Sequence, residues 1–164
     1  MKNAEMSPCE VCRIQQRMED GDVPWAVARL RSGYVGLNAN QFYRGYTFFS
    51  ARACVTELFE LEGNDRALHL HEMTEVAHAL HRAFRPRKLN YEALGNSAPH
   101  LHWHLVPRHH DDQRAGAPIW ENLDYLRTAW TGQHEDDPAH RATLRDTLLG
   151  ELRNADVEIE RTFP

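Results

Sequence analysis

Residues 100 to 106 are the most informative part of the sequence for the fold and read His100-Leu101-His102-Trp103-His104-Leu105-Val106. Strict alternation of polar and apolar side chains is typical of a β-strand whose two faces have different surroundings. The alternation places three imidazoles on one face and packs the apolar residues into a core behind them. We therefore predict a strand over residues 100–107 with a histidine-lined working face.

The spacing of the imidazoles limits the chemistry that this face can perform. On a regular strand the outer two histidines are about 13 Å apart, which is too far for both to ligate one metal ion. The middle residue, His102, is therefore free to act as a nucleophile or base along an extended phosphate substrate. Two other interpretations stay open: an exposed strand that happens to carry histidines, and the two-histidine metal site of a barrel enzyme.

The rest of the chain predicts an α+β fold. The strand candidates are residues 25–30, 34–37, 46–50, 88–92 and 100–107. Apolar residues at helical spacing predict one long helix over residues 65–85, which Pro86 ends. Two further helices are predicted at residues 121–130 and 138–153, the second capped by Asp137. These elements favour an antiparallel sheet of about five strands with one covering helix.

Composition narrows the class of protein. A length of 164 residues with 41% hydrophobic residues suits one domain. A net charge of -5 argues against broad binding to nucleic acid. No apolar stretch reaches the roughly 20 residues that span a bilayer, and the opening residues 1–5 lack the apolar core of a secretory signal. The sequence predicts a cytoplasmic protein without membrane or nucleic-acid partners.

The histidine run matches, without a mismatch, the His-φ-His-φ-His-φ-φ signature of the histidine triad (HIT) family, in which φ is apolar. The chain resembles this family from Cys9 to about Trp120. The resemblance implies a HIT-like catalytic domain over residues 1–120, with residues 121–164 as a helical C-terminal extension packed on it. It also implies a nucleotide substrate, a homodimer, and attack by His102 on the α-phosphorus with help from His104.

The resemblance and the strand end also point to phosphate contacts. The turn at Gly95 is similar to the family's Gly-Gln-Ser, with Asn96 in place of glutamine and Ser97 as the residue expected at the phosphate. Asn90 falls near a polar position that contacts phosphate or the leaving group. Arg108, at the end of the strand, is a candidate for contact with an outgoing phosphate, although a solvated loop is an equal alternative.

A ribose contact and one departure lie upstream. Asn38 stands seven residues before Gly45, where relatives place an Asn or Asp that bonds the ribose hydroxyls. The alternative is an ordinary turn residue. Tyr46 is a departure, because many relatives carry histidine directly after that glycine. Whatever that histidine supports must be altered or absent.

Cysteines suggest a metal site. Cys9 and Cys12 have the spacing of half a tetrahedral zinc site. Zinc-bearing relatives complete theirs with a histidine nine residues after the Gly45 position and with the first histidine of the triad. Residue 54 here is cysteine, so the resemblance implies structural Zn²⁺ bound by Cys9, Cys12, Cys54 and His100. The alternative is a buried apolar Cys54 and two free thiols.

Other histidines lie outside the triad. His69, His78 and His81 lie on the long helix and are expected to be solvated. The preferred function is a hydrolase or transferase that cleaves an adenosine-type phosphoanhydride or phosphoramidate. The alternatives are phosphorolytic or uridylyltransferase-like transfer and a non-catalytic nucleotide-binding module.

Overall fold

The computed structural model describes residues 9–131 and 137–163 and shows an α+β fold, as predicted. The strands are Ala26–Leu30 (β1), Gly33–Leu37 (β2), Thr47–Ala51 (β3), Lys88–Glu92 (β4), His102–Arg108 (β5) and Ile159–Thr162 (β6). The α-helices are Glu10–Asp20 (α1), Gly63–Phe84 (α2), Leu123–Thr131 (α3) and Pro138–Leu152 (α4). Single 3-10 turns lie at Leu58–Glu60 and Ile119–Glu121.

The sheet has six antiparallel strands in the order β4-β5-β3-β2-β1-β6. Strand β5 lies between β3 and β4, and the register sets Ser50 opposite His102 and Phe48 opposite His104. The five predicted strands are present. The sixth, β6, extends the sheet by pairing with β1 at its far edge.

The core fills the face of the sheet that points away from the imidazoles. Val35, Phe49 and Leu105 are fully buried there, together with Val76 and Leu80 of α2. Burial of each such side chain contributes about 1.5–3 kcal/mol. Strand alternation therefore works as predicted for Leu105 and its neighbours, and it leaves the opposite face of β5 for the histidines.

Strand β5 starts two residues later than predicted, so the three histidines do not share one regular strand. The backbone at Leu101 pairs with the last residue of β3 and with the segment that follows it. Its N–H donates to the carbonyl of Val55 at 2.7 Å, and its carbonyl accepts from the N–H of Ala51 at 2.9 Å. His100 is consequently fully buried before the strand begins. The interpretation of a single imidazole row is wrong at its first member.

Helix α2 covers the sheet as predicted, but its buried stripe differs from the expected one. His69 is fully buried and begins a stripe that continues through Met73, Val76 and Leu80. The expectation of a solvated His69 is therefore wrong. His69, Met73 and Val76 have the i, i+4, i+7 spacing that places side chains on one face of a helix, and this face is the core face. His78 and His81 are exposed as expected.

The C-terminal elements pack on the same sheet and helix. Asp137 caps α4 as predicted and accepts hydrogen bonds from the N–H groups of Ala139 and His140, both at 3.0 Å. Helix α4 buries Leu148 against the core, and Arg82 of α2 pairs with Glu151 at 2.9 Å.

Within the two described ranges, no helix is long and apolar enough to cross a membrane. The opening residues, on which the expectation of no secretory signal rests, lie outside those ranges.

Candidate functional site

The site begins with the tautomer of His102. Its Nδ1 lies 2.6 Å from the carbonyl oxygen of His100. A carbonyl oxygen only accepts, so Nδ1 carries the proton and donates it. In the neutral ring the lone pair is therefore on Nε2, the nitrogen that points away from the backbone. This is the form in which an imidazole can act as a nucleophile.

A second imidazole and a phenol continue this chain of hydrogen bonds. Nε2 of His104 lies 3.1 Å from Nε2 of His102, and the hydroxyl of Tyr46 lies 2.5 Å from Nδ1 of His104. Burial, followed by the proximity of His102, lowers the pKa of His104 to about 4. His104 is therefore neutral near pH 7.

The loop between β2 and β3 holds Tyr46 in place. Gly45 has a φ of +85° and lies so close to Phe84 that an added Cβ would come within 2.5 Å of its ring, so no other residue fits without strain. The side chain of Gln41 braces the loop: it accepts from the N–H of Gly45 at 2.8 Å and donates to the carbonyls of Asn38 and Tyr46 at 2.6 and 2.9 Å.

A cavity of about 290 Å³ opens beside His102. Asn38 lines it together with His102, and the Asn38 side chain is half-buried. The apolar walls are formed by Val11, Ile14, Met18, Trp25, Leu37 and Phe48. Gly36 lets α1 approach β2, because a Cβ there would lie 2.8 Å from the Met18 methyl carbon. The cavity is close to the lower limit of typical small-molecule sites, about 300 Å³.

The structure separates the predicted phosphate contacts into two groups. Asn96 and Ser97 are exposed in the turn that leads to Ala98, and Ala98 lines the His102 cavity. Asn90 and Arg108 line a different cavity. The Arg108 side chain is almost fully buried and donates to the Asn90 side chain at 3.3 Å.

Arg108 has further partners that use its donors. Its guanidinium donates to the Asp112 carboxylate at 3.2 Å and to the carbonyls of Ala117 and Arg114 at 2.6 and 3.3 Å. It also lies over the ring of Tyr43, with 4.8 Å between the guanidinium carbon and the ring centroid. These contacts tie the segment after β5 to the strand end.

Sequence reasoning missed two contributors to the site. Helix α1 supplies one wall of the cavity, and its signal was the apolar spacing of Val11, Ile14 and Met18. Trp120 packs edge-on to His104 with 6.4 Å between ring centroids, and its indole N–H donates to Glu92 at 2.7 Å. Nothing in the local sequence around Trp120 indicates this contact.

The four proposed metal ligands come together as the resemblance implies. Their ligand atoms lie within 4.8 Å of one another. Nδ1 of His100 is 3.4 Å from the Cys9 sulfur and 3.7 Å from the Cys12 sulfur. Ligand atoms around a tetrahedral zinc ion are about 3.6–3.8 Å apart. Nε2 of His100 donates to the carbonyl of Ala51 at 2.7 Å, which leaves Nδ1 free to ligate.

A divalent cation would change the ionisation of these thiols. Burial, followed by the neighbouring thiols of Cys54 and Cys9, raises the pKa of Cys12 to about 12. Three thiolates at this distance repel one another, whereas a divalent cation favours their ionised forms. The donor set and its geometry therefore fit a zinc ion.

Comparison with known proteins agrees with this geometry. The profile of the HIT domain matches residues 32–111, a span that includes the histidine run, Asn38 and Tyr46. The chain contains a HIT domain. HIT proteins are nucleotide-binding hydrolases and transferases as a class. No protein with a curated description matches the chain significantly.

Solved structures share the fold of this HIT protein. A histidine triad protein from Bradyrhizobium japonicum matches with a TM-score of 0.67 and 22% identity over 77% of this chain and 89% of its own. One from Sinorhizobium meliloti gives 0.64 and 24% over 83% and 93%. A Zn-bound histidine triad family protein from Mycobacterium smegmatis gives 0.62 and 18% over 90% and 94%. At these identities the likeness establishes the fold.

Proposed function

We propose that this HIT protein is a hydrolase or transferase that cleaves at the α-phosphate of an adenosine-type phosphoanhydride or phosphoramidate, such as a dinucleoside polyphosphate. The nucleophile is Nε2 of His102, and the reaction passes through a nucleotidyl-histidine. The observation that carries the proposal is the 2.6 Å hydrogen bond from His102 Nδ1 to the carbonyl of His100. That bond leaves the lone pair of a neutral imidazole on Nε2, and His102 lines the cavity.

Binding and chemistry divide between the cavity and the imidazoles. The apolar cavity suits a nucleoside, and Asn38 supplies a polar group for its ribose hydroxyls. Ser97, in the turn next to Ala98, is proposed to contact the phosphate. The Nε2–H of His104 faces His102 in the free protein, and we propose that it turns to the departing oxygen once the His102 lone pair has bonded to phosphorus. Such an oriented donor typically accelerates a reaction about 100- to 1000-fold.

The reaction then has two displacements. In the first, the lone pair of His102 forms a bond to the α-phosphorus, and the bond from phosphorus to the leaving group breaks. A leaving polyphosphate departs as an anion that accepts a hydrogen bond from His104. In the second, water attacks phosphorus, the phosphorus–nitrogen bond breaks, and the lone pair returns to His102. The water proton is released, and a nucleoside monophosphate leaves.

We further propose a structural Zn²⁺ at Cys9, Cys12, Cys54 and His100, separate from the reacting atoms. The same proposal takes residues 1–120 as the catalytic part and residues 121–164 as an extension on one domain. The contacts of α4 with α2 and β1 support that single domain. A cytoplasmic homodimer is the proposed form in the cell.

The test is direct detection of the intermediate. Dinucleoside polyphosphates and nucleoside phosphoramidates are mixed with the purified protein, quenched within milliseconds, and digested for mass spectrometry. We expect a nucleotide adduct, labile to acid, on the peptide that carries His102. His102→Ala should lose nearly all turnover and still bind nucleotide, because binding depends on other groups.

The control is His78→Ala, which removes an exposed helix histidine and should leave turnover unchanged. Adding inorganic phosphate or a sugar phosphate as acceptor distinguishes hydrolysis from transfer by the product formed. Full activity in His102→Ala, or an adduct on another residue, contradicts the proposed nucleophile. Nucleotide binding without any turnover would favour the non-catalytic module.

A further inference from the structure

We propose that Tyr46 is a positioning residue whose hydroxyl fixes the tautomer of His104, so that the Nε2–H of His104 points at His102 in the free protein and is available to the departing group once the His102 lone pair has bonded to phosphorus. This inference deepens the proposed function and rests on it. The hydroxyl of Tyr46 and Nδ1 of His104 are 2.5 Å apart, and Tyr46 is almost fully buried.

The direction of this hydrogen bond follows from the neighbouring bond. The carbonyl of His100 fixes the proton of His102 on Nδ1, so Nε2 of His102 carries a lone pair. Nε2 of His104 faces that lone pair at 3.1 Å, and two lone pairs at this distance repel each other. His104 must therefore carry its proton on Nε2, which leaves Nδ1 as an acceptor. The Tyr46 hydroxyl lies at that acceptor and supplies the donor.

The phenol is suited to this role because it keeps its proton. Burial, with smaller contributions led by Tyr125, raises the pKa of Tyr46 far above its ordinary value. The proton of the short hydrogen bond therefore stays on oxygen, and the bond orients His104 without passing a proton to it.

The other side chains around His104 do not compete for its Nδ1. Glu92 lies opposite His104 in the adjacent strand β4, but its carboxylate accepts from the indole of Trp120 at 2.7 Å. Phe48 packs against the His104 ring with 4.8 Å between centroids and has no polar group. Among the described residues, Tyr46 is the hydrogen-bond partner recorded at Nδ1.

The loop geometry makes this a built contact. Gly45 at φ +85° and the side chain of Gln41 fix the backbone at Tyr46. The Tyr46 N–H donates to the carbonyl of Tyr43 at 3.0 Å, and its carbonyl accepts from the N–H of Asn38 at 2.8 Å. The phenol is thus held from its own backbone, independently of His104.

The first test is a long-range ¹H–¹⁵N correlation spectrum of the histidine-labelled wild-type protein near pH 7. We expect His104 to show a protonated Nε2 and an unprotonated, hydrogen-bonded Nδ1. A spectrum with the proton on Nδ1 of His104 overturns the inference without any variant. Because no substrate is present, this outcome is distinct from a failure of the proposed function, which would appear as an absence of turnover.

The second test compares Tyr46→Phe with Tyr43→Phe. Both remove a buried phenol hydroxyl from the same aromatic cluster, but the Tyr43 hydroxyl accepts from Asn122 at 3.1 Å and does not contact His104. Tyr46→Phe should shift the His104 Nδ1 signal, mix the two tautomers, and lower kcat about 10- to 100-fold with KM little changed. Tyr43→Phe should leave the His104 signals and kcat as they are.

Two results would overturn the inference. One is a Tyr46→Phe protein with unchanged His104 signals and kcat within about twofold of the wild type. The other is an equal loss in Tyr43→Phe, which would make the effect one of packing. If Tyr46→Phe does not fold, the wild-type spectrum decides alone.

Discussion

The histidine run has a metal end, at His100, and a reaction end, at His102 and His104, and the two use the same side chain in opposite ways. At one end His100 is fully buried, donates through Nε2 to Ala51, and turns Nδ1 toward the cysteine sulfurs. At the other end His102 donates through Nδ1 and keeps Nε2 for the cavity side. The ring nitrogen that bonds to a backbone carbonyl is different in each case, and this difference separates the proposed metal ligand from the proposed nucleophile.

The carbonyl of His100 serves the reaction end as much as the ring of His100 serves the metal end. The ring joins the cysteine cluster, while the carbonyl of the same residue sets the tautomer of His102. A change in the ring of His100 therefore acts mainly on folding. A change in the groups around His102 acts mainly on substrate. The predictions below test that separation.

The largest effect is expected from removal of the metal. Structural zinc contributes on the order of 10 kcal/mol to folding, so chelation or Cys54→Ala should lower Tm markedly. Elemental analysis of the purified protein should return about one zinc ion per chain. Thermal unfolding with and without chelator measures the loss.

The matched control is Cys54→His, which supplies another zinc ligand at the same position. This variant should bind zinc and keep most of the stability that Cys54→Ala loses. Purified protein without zinc, or Cys54→Ala with an unchanged Tm, would remove the distinction between the two ends.

A smaller effect, confined to the reaction end, is expected from Asn38→Ala. Loss of a hydrogen bond to a ribose hydroxyl should lower kcat/KM for ribonucleotide substrates, by a factor that corresponds to about 1–3 kcal/mol of transition-state stabilisation. Deoxyribose analogues should lose less, and the melting temperature should stay close to that of the wild type.

The deoxyribose comparison also separates two roles of Asn38. Its side chain lies near the Tyr46 hydroxyl and offsets a small part of the rise in the Tyr46 pKa. An effect through Tyr46 would weaken ribose and deoxyribose substrates equally. Equal losses would therefore count against a ribose contact.

The effect that is smallest at neutral pH concerns His69, a third histidine held by its ring nitrogens. Trp103 donates to its Nε2 at 3.1 Å, its Nδ1 lies 3.2 Å from the Ser32 hydroxyl, and Glu72 accepts from that hydroxyl. Burial, against a backbone hydrogen bond at Ser32 and with a repulsive contribution from His100, lowers the pKa of His69 to about 4.

This depressed pKa gives stability a pH dependence of known sign. Between pH 6.5 and about 4 the unfolded chain binds a proton at His69 and the folded chain does not. The contribution of His69 to the free energy of unfolding is therefore complete above pH 6.5. It decreases as the pH is lowered toward about 4, by up to about 1.4 kcal/mol per pH unit. Urea unfolding at several pH values should show a shallower slope in His69→Gln than in the wild type.

The exposed His78 provides the comparison, since His78→Gln should keep the wild-type slope. Acid release of a metal contributes to all three proteins and cancels in the differences. Identical slopes for wild type and His69→Gln would show that His69 is protonated alike in the folded and unfolded chains.

Much of the fold was readable because periodicity and capping agree with tertiary packing. The predicted strand over residues 88–92 has the observed bounds, and Asp137 caps α4 as expected. Strand β6 was not predicted, because its side chains are mostly exposed and its sequence therefore has no apolar alternation. Its position depends on hydrogen bonds to β1, which no local pattern encodes.

The site was readable in its residue types but not in its connections. Helix α1 was missed because a polar residue, Gln15, occupies a buried position, where it donates to Ser50 and Ala51 at 2.9 and 2.8 Å. The sequence marked Tyr46 as a departure, but its hydrogen bond to His104 depends on a loop conformation. The burial of His69 likewise depends on a partner, Trp103, that lies 34 residues away.

Helix α1 joins the two ends in one further way. Cys9 precedes its first turn and Cys12 lies within it, while Ile14 and Met18, farther along the same 11 residues, form the wall of the cavity. A metal that fastens the start of the helix therefore also fastens the surface against which a nucleoside would rest. If both ligands bind as proposed, they are thermodynamically linked through this helix, and each changes the binding of the other by the same factor. Metal supply would then influence nucleotide affinity from a distance, without any contact between the metal and the reacting phosphorus.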